Sequence, residues 1–365
     1  MAHIPIPLPV QPPRERLAPA TPAENLANRA SALYHACRCD EALDLAYQAV
    51  ALERTMHTLN NLAAILEVFG RFDEGFRYAT EAYNLAPGDN RIRKLYSEHL
   101  LRFGHFAQGW PIFNLAHRRL EWLDATLPRW EGQFLCGKRL LVFTAGGYGD
   151  NLYFLRWLLQ LQARGAQVTY LTAPSLAPLS RALNIPTVEN WNGNFTLRFS
   201  DFDYYTEIHE IPQRIGMSID APALAPYIKI PPRPRFHLRR RIGFRWRAGS
   251  SAPPPRFRSL NWLQRQRITS RLPGYIDLSD LFDFSGSWLD TARVVSSLDL
   301  LITVDTGVAH LAGILGVPTW VVLPGASAWH YPLGYDTHPL YPTMRIFWNH
   351  GEGLDLAVDS LVEEL

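Results

Sequence analysis

Residues 140–150 read LLVFTAGGYGD, a short apolar run that ends in a glycine-rich turn. The run is typical of a buried strand, because its apolar residues are consecutive rather than alternating. Apolar positions at helical spacing follow over residues 151–163, and QVTYL at 167–171 is a second strand pattern. Strand, glycine turn, helix and strand in this order predict one unit of a parallel α/β sheet.

A second series of strand and helix patterns fills the C-terminal part of the chain. It begins with IGFRW at 242–246 and continues with DLLITV at 299–304. A helical pattern at 308–315 and the strand pattern TWVVL at 319–323 follow. The proline-rich stretch PPRP at 231–234 separates the two series and suits a hinge. We therefore expect two doubly wound α/β domains that face each other across a cleft.

The N-terminal part of the chain repeats itself. Small residues recur at Ala42, Gly75 and Gly109, at intervals of 33 and 34 residues, and FDEG at 72–75 parallels FAQG at 106–109. A period of this length predicts stacked helix hairpins, in which small residues let paired helices approach closely. Two interpretations of the hairpins stay open: a packing module, or a concave surface that binds a partner.

The chain is expected to contain several segments, because 365 residues are too many for one ordinary core. Seven prolines among the first 22 residues forbid a helix and favour an extended tail or strap. The predicted segments are a proline-rich flexible tail (1–22), helical repeats (23–120), a turn-rich linker (121–138), an N-terminal Rossmann-like domain (139–234) and a C-terminal Rossmann-like domain (235–365).

Composition argues against several classes of protein. Hydrophobic residues make up 47% of the chain and charged residues 19%, which disfavours a disordered chain and a charged coiled coil. The net charge is only +2, so we expect neither a nucleic acid partner nor an anionic membrane partner. No apolar run reaches ~18 residues, and no basic region precedes an apolar stretch at the N-terminus, so neither a membrane span nor a secretory signal is expected. Cys37, Cys39 and Cys136 lack metal-binding spacing, which favours a reduced cytoplasmic chain.

The glycine-rich turn at the end of the first strand is the first candidate site. Ligands of open parallel sheets bind beyond the carboxyl ends of the strands, so Gly147, Gly149 and Asp150 are expected at the cleft. Asp150 then lies at a helix N-terminus. Its carboxylate either caps that helix or takes a proton from an acceptor hydroxyl.

The second candidate site is VDTGVAH at 304–310, again a strand end followed by a helix start. The backbone N–H groups of Thr306, Gly307 and Val308 have no acceptor within the first helical turn and suit a diphosphate. His310 lies one turn further, where it either packs as a structural histidine or reaches a bound phosphate or sugar.

Two further groups of residues could contact a ligand. The segment 245–259 contains several arginines, Arg245 and Arg258 among them, which either bind phosphate oxygens or form a solvated basic loop. A C-terminal group of ring-bearing residues either lines a pocket or packs in the core; its members are Trp329, His330, Tyr331, Tyr341 and Trp348. The sequence contains no Ser/His/Asp order, no His-x-x-x-His and no cysteine pair of the kind that hydrolases or metal sites require.

Several of these stretches together resemble a known family. They are WEG at 130–132 with GKRL at 137–140, GYGDN at 147–151 with FLRW at 154–157, IGF at 242–244, Arg256-x-Arg258-Ser259, DLLITVDTGVAHLAG at 299–313, and YP-x-MR-x-F at 341–347. The chain is similar over residues 23–365 to bacterial tetratricopeptide-repeat glycosyltransferases, which are related to the ADP-heptose:lipopolysaccharide heptosyltransferases and share their GT-B fold. The Asp-Thr-x-x-Ala-His-Leu-Ala-Gly block is the most specific part of the match.

The resemblance implies an α/β GT-B core behind an all-α repeat domain, and inverting, metal-independent transfer of a hexose or heptose from a nucleotide-diphosphate sugar. It implies no cofactor besides that co-substrate, and a protein or glycan acceptor that approaches by way of the repeats. Asp150 would be the base, Asp305 would hold sugar hydroxyls, and Arg258 would neutralise the leaving phosphate. The implied site residues are Asp150 for catalysis; Arg258, Ser259, Asp305, Thr306, Gly307, Val308 and His310 for the donor; and Gly147, Gly149, Asn151, Arg245 and Trp329 for the acceptor side and the cleft.

The sequence departs from the family pattern in four places. It has WRAGS at 246–250 where relatives carry Trp-(Ser/Ala)-Gly-Asn, APPP at 252–255 in place of a polar loop, a short region at 260–285, and Ala328-Trp329 where relatives tend to have Asp-Trp. The altered loop at 247–256 motivates a second hypothesis, a catalytically inactive scaffold whose repeats bind a protein partner. A third hypothesis, a nucleotide-sugar epimerase with the same fold, is the least favoured of the three. The motifs leave the nucleotide base, the sugar, the acceptor and the oligomeric state open.

Overall fold

The computed structural model describes residues 21–118, 120–190, 193–216, 228–232, 241–249, 258–272, 274–279, 286–323, 325, 327–348 and 354–365. Three predicted segments lie wholly or partly outside these ranges. They are the tail up to residue 20, the second half of the hinge (233–234), and residues 250–257 of the arginine-containing segment 245–259, Arg256 included.

Six helices form three antiparallel hairpins over residues 22–117, as the repeat period predicts. Their bounds are α1 Pro22–His35, α2 Cys39–Leu52, α3 Met56–Val68, α4 Phe72–Leu85, α5 Asn90–Arg102 and α6 Phe106–His117. The small residues of the repeat lie in the second helix of each hairpin, where space is short. A Cβ added to Gly75 would lie 3.1 Å from the His99 ring, and one added to Gly109 would lie 2.9 Å from Leu101 Cδ2.

The first parallel sheet follows the repeats. Its strands are β1 Arg139–Phe143, β2 Gln167–Thr172, β3 Thr187–Glu189 and β4 Tyr204–Glu207, in the order β3-β2-β1-β4. Helices α7 Tyr148–Ala163 and α8 Ala177–Ala182 connect the first three strands, and the one-turn helix α9 Ile211–Arg214 comes after the fourth. The segment predicted as a linker packs against the edge strand, because the Trp130 N–H donates to the Tyr205 carbonyl at 2.8 Å.

A second parallel sheet forms the C-terminal part. Its strands are β5 Ile242–Arg245, β6 Ile276–Asp277, β7 Leu300–Val304, β8 Thr319–Leu323 and β9 Met344–Trp348, in the order β6-β5-β7-β8-β9. The helices that accompany it are α10 Trp262–Thr269, α11 Trp288–Val295, α12 Gly307–Leu315 and α13 Leu354–Glu363. None of the helices in the described ranges has both the length and the apolar character that crossing a membrane requires.

The three parts of the chain share one hydrophobic core. Trp110 of α6 packs edge-on against Trp329, with ring centroids 5.3 Å apart, and α7 packs against α12. The helical region, the first sheet and the second sheet therefore meet at the carboxyl ends of β1 and β7, which is where both candidate motifs lie.

Candidate functional site

A cavity of about 610 Å³ lies where the three parts meet. It is lined by the turn before α7, the start of α12, the loop after β8, and side chains from α1, α3, α5 and α6 of the repeats. Gly147, Gly149, Asp150, Arg258, Asp305, Thr306, Gly307, His310 and Trp329 all line it. The structure thus brings together the residues of the two predicted motifs.

The turn before α7 is shaped around the Asp150 carboxylate. Gly146 has φ +70°, and a Cβ at this position would overlap the Asp150 side chain, so glycine is required. The Gly147 N–H donates to Asp150 Oδ2 at 2.6 Å. Asp150 therefore caps its own helix with one carboxylate oxygen, which starts the helix at Tyr148 rather than at the predicted Asn151.

The other oxygen of Asp150 faces His330, a member of the C-terminal group predicted either to line a pocket or to pack in the core. His330 Nε2 lies 3.3 Å from Asp150 Oδ1, and about a third of the Asp150 side chain (35%) is exposed. Burial opposes ionisation of this carboxyl group, but the contact with His330 and the Gly147 N–H outweigh it and lower its pKa to about 2. Asp150 is therefore an anion at neutral pH.

The N-termini of α7 and α12 converge on the cavity. A Cβ built on Gly307 would lie 3.4 Å from the Gly149 nitrogen and 2.9 Å from Trp288 Cη2. A Cβ built on Gly149 would in turn lie 3.4 Å from His310 Cδ2. Because the first N–H groups of each helix lack intrahelical acceptors and carry the positive end of the helix dipole, two such ends in one place favour an anion.

Asp305 lies beneath the start of α12 and is tied to two other parts of the cavity. Its Oδ2 accepts a hydrogen bond from the Ala328 N–H at 2.8 Å and lies 3.0 Å from Arg258 Nη2. Arg258 Nη2 also donates to the Asp305 carbonyl at 2.8 Å. Asp305 is 1% exposed. Burial alone would raise the pKa of its carboxyl group, but the nearby Arg258 keeps that pKa below the usual range. Asp305 therefore orients Arg258 and the loop after β8.

His310 is a buried, neutral imidazole between the two motifs. Burial, with a further contribution from His330, lowers its pKa to about 3. Its ring stacks on Tyr331 with centroids 5.5 Å apart and lies near Gly149. The histidine packs in the core and also lines the cavity, and its reach to a bound phosphate or sugar stays a prediction.

Four predicted site residues do not line the cavity. Asn151 is 4% exposed and its amide bridges the turn: Nδ2 donates to the Ala145 and Gly147 carbonyls at 3.0 and 2.7 Å. Arg245 is buried and its Nη1 donates to the Leu278 carbonyl at 3.1 Å. Neither side chain lines this cavity, because the Asn151 amide is bonded to the turn before α7 and the Arg245 guanidinium to the segment after β6. The other two are Ser259, whose hydroxyl accepts from the Ala248 N–H at 3.0 Å, and Val308, whose side chain is buried in the core.

The repeats contribute a wall of the cavity that the sequence analysis missed. Tyr34, Glu67, Lys94, Glu98 and Arg102 line it from the first helix of each hairpin. Tyr34 and Glu67 are 33 residues apart, one repeat period, so the period itself could have marked this face. Burial, with a contribution from the Glu67 and Asp150 carboxylates, raises the pKa of Glu98 to about 7 against the opposing effect of Lys94 and Arg102. Within the described ranges, no three His, Cys, Asp or Glu side chains form a group that could hold a metal ion.

Comparison with models of known protein families gives no match. Protein FlbA of Caulobacter vibrioides is 24% identical in an alignment of 309 residues. The match covers 68% of this chain, and the chain spans about half (50%) of FlbA. Among solved structures, the iron-containing heptosyltransferase TibC of enterotoxigenic E. coli, in complex with ADP-D-beta-D-heptose, aligns at 10% identity and TM-score 0.38 over 64% of this chain and 78% of TibC.

Two further solved structures resemble parts of the chain. E. coli heptosyltransferase WaaC with ADP aligns at 13% identity and TM-score 0.35, over 62% of this chain and 99% of WaaC. The Thermobaculum terrenum O-GlcNAc transferase aligns at 11% identity and TM-score 0.26, over 90% of this chain and 58% of that protein.

Proposed function

We propose that this chain is a glycosyltransferase that moves a sugar from a nucleotide-diphosphate sugar to a protein or glycan acceptor, with inversion and without a metal ion. The observation that carries the proposal is the convergence of two helix N-termini and an ionised carboxylate, Asp150, on one cavity. The helix ends suit a diphosphate, and the carboxylate suits a proton acceptor.

The diphosphate of the donor would bind at the start of α12. The N–H groups of Thr306, Gly307 and Val308 would donate to its oxygens, and the nearby start of α7 would add to the positive potential. Arg258, held at 3.0 Å from the Asp305 carboxylate, would stabilise the charge that builds up on the leaving diphosphate. We assign Asp305 mainly to the orientation of Arg258, since its Oδ2 already has two partners.

Transfer would proceed in one displacement. The acceptor oxygen forms a bond to the anomeric carbon while the bond from that carbon to the phosphate oxygen breaks, and the electron pair leaves with the nucleoside diphosphate. Asp150 takes the proton of the acceptor hydroxyl. Because the Asp150 pKa is about 2, the proton moves late, when the attacking oxygen has become strongly acidic. A single displacement at this carbon inverts its configuration.

A panel of nucleotides tests the proposal. The thermal unfolding of the full chain is measured with ADP, GDP, UDP, CMP and dTDP compounds, each with and without Mg²⁺. We expect one nucleotide to raise the melting temperature equally with and without the metal, by an amount that grows with the logarithm of its concentration. A chain that none of these nucleotides stabilises would contradict the proposal and favour the inactive scaffold.

A further inference from the structure

Arg102 connects the helical repeats to the loop after β8. It is the last residue of α5 and is 2% exposed. Its Nη2 donates to the Ser327 carbonyl at 2.7 Å, and its Nη1 lies 3.2 Å from Ser327 Oγ and 3.4 Å from the Ala328 carbonyl. Its own carbonyl accepts from the Leu333 N–H at 3.0 Å. The two ends of this loop are thus bonded to one residue of the repeats.

The loop also rests directly on the backbone of the repeats. A Cβ at Gly325 would overlap the Glu67 and Val68 carbonyls and the Gly70 nitrogen, at the end of α3. Backbone atoms cannot move aside as a side chain can, so the close approach depends on glycine at this position.

The opposite side of the same loop holds the two carboxylates of the site. The Ala328 N–H donates to Asp305 Oδ2 at 2.8 Å, and His330 Nε2 lies 3.3 Å from Asp150 Oδ1. Between them, Trp329 lines the cavity. Arg102 therefore reaches both carboxylates through a few residues of backbone.

The guanidinium group is suited to this task in a way that an ammonium group is not. Its planar fork spans two carbonyls at once, while Glu67 Oε1 lies 3.7 Å away and the Phe72 ring covers its face at 4.4 Å. A lysine keeps the charge but has one donor group at the end of a flexible stem, so it cannot hold both carbonyls in the same geometry.

We infer that Arg102 is a positioning residue that fixes the loop at 327–333, and through it Asp305 and Asp150, so that the helical repeats are an integral part of the ligand site. The positioning of the loop stands on geometry alone, and its effect on nucleotide binding rests on the proposed function.

Hydrogen exchange of the full-length chain tests the positioning directly. In Arg102→Lys we expect peptides covering 327–333 to exchange about tenfold faster, the effect of losing one charge-assisted hydrogen bond, with exchange in α1–α4 unchanged. Arg54→Lys is the matched control, because Arg54 pairs with Glu81 on the surface of the same repeats. Unchanged exchange of the loop in Arg102→Lys would overturn the inference.

The affinity for nucleotide is the second measurement, because a residue that only stabilised the fold would not change it. We expect Arg102→Lys to weaken the binding of the nucleoside diphosphate identified by the panel about tenfold, measured at a temperature at which variant and wild type are both fully folded. A wild-type chain that binds no nucleotide would defeat the proposed function and leave the exchange test in force. Should Arg102→Lys fail to fold, Gly325→Ala is the second variant, because its methyl group would push the same loop away from the backbone at the end of α3. Unchanged hydrogen exchange at 327–333 in that variant would overturn the inference.

Discussion

Asp150→Asn removes the charge of the proposed base and little else. The asparagine has the same shape, and its amide oxygen can still accept the Gly147 N–H bond that starts α7. With a pKa of about 2 the wild-type carboxyl group is ionised at neutral pH and can take a proton, whereas an amide cannot. We expect the rate of transfer to fall about 10²–10⁴-fold, the usual contribution of a general base, or ~2.7–5.5 kcal/mol in activation free energy.

The assay is the release of nucleoside diphosphate from the nucleotide sugar that the panel identifies, together with the affinity for the diphosphate alone. Affinity should change less than about twofold, because the donor contacts come from α12 and Arg258. Asp290→Asn is the matched control, since Asp290 holds the same third position in α11 but is 53% exposed and pairs with Arg293. Unimpaired turnover in Asp150→Asn would refute the role assigned to Asp150.

The pH dependence of the same reaction gives a second check on Asp150. Its folded-state pKa is depressed, so the carboxylate persists as the pH falls and gains a proton only near pH 2. The rate should therefore show no loss from protonation of Asp150 between pH 7 and about pH 4. A rate that falls between pH 7 and pH 4 in the wild type but not in Asp150→Asn would contradict this prediction. It would mean that His330 and the Gly147 N–H do not lower the Asp150 pKa to about 2.

Two other substitutions test the neighbouring contacts. Gly307→Ala should weaken nucleotide binding and destabilise the fold by about 1–3 kcal/mol, because its methyl group meets Trp288 at 2.9 Å; Gly88→Ala, with open space around it, is the control in thermal unfolding and nucleotide titration. Asp305→Asn leaves the charge of Arg258 uncompensated and should lower the free energy of unfolding by denaturant by about 3–5 kcal/mol. The control is Asp299→Asn, which breaks a surface pair with Arg241 and should cost less than ~1 kcal/mol. Since the Asp305 pKa is lowered on folding, its contribution is present above the ordinary carboxyl range and fades in acid, so the variant should lose less stability than wild type as pH falls.

The parts of the fold that the sequence predicted well have local causes. All five residues of β7 are buried, and a run that is apolar except for Thr303 indicates such a strand without any tertiary information. The glycine turn before α7 was equally readable, because its residues interact with one another. The start of α7 was placed three residues late, since a helical pattern in apolar residues does not reveal that Asp150 caps the helix from inside.

The contacts missed by the sequence analysis are those made across the molecule. Arg102 and Ser327 are 225 residues apart, and no local pattern marks a charged residue at a helix end as buried. The resemblance implies a place for Asn151 on the acceptor side or in the cleft, yet the fold turns its amide back onto the Gly147 carbonyl. In both cases the side chain's partner is decided by packing, which a motif does not contain.

The distribution of charge in the cavity gives the proposed substrates an orientation. Two helix N-termini and Arg258 concentrate positive potential at one end, where a diphosphate is stabilised. At the repeat end, burial raises the pKa of Glu98 to about 7; the Glu67 and Asp150 carboxylates contribute to the rise, and Lys94 and Arg102 oppose it. In the proposed function the donor diphosphate therefore binds at the start of α12, and the acceptor reaches Asp150 along the repeats, past Glu67 and Glu98.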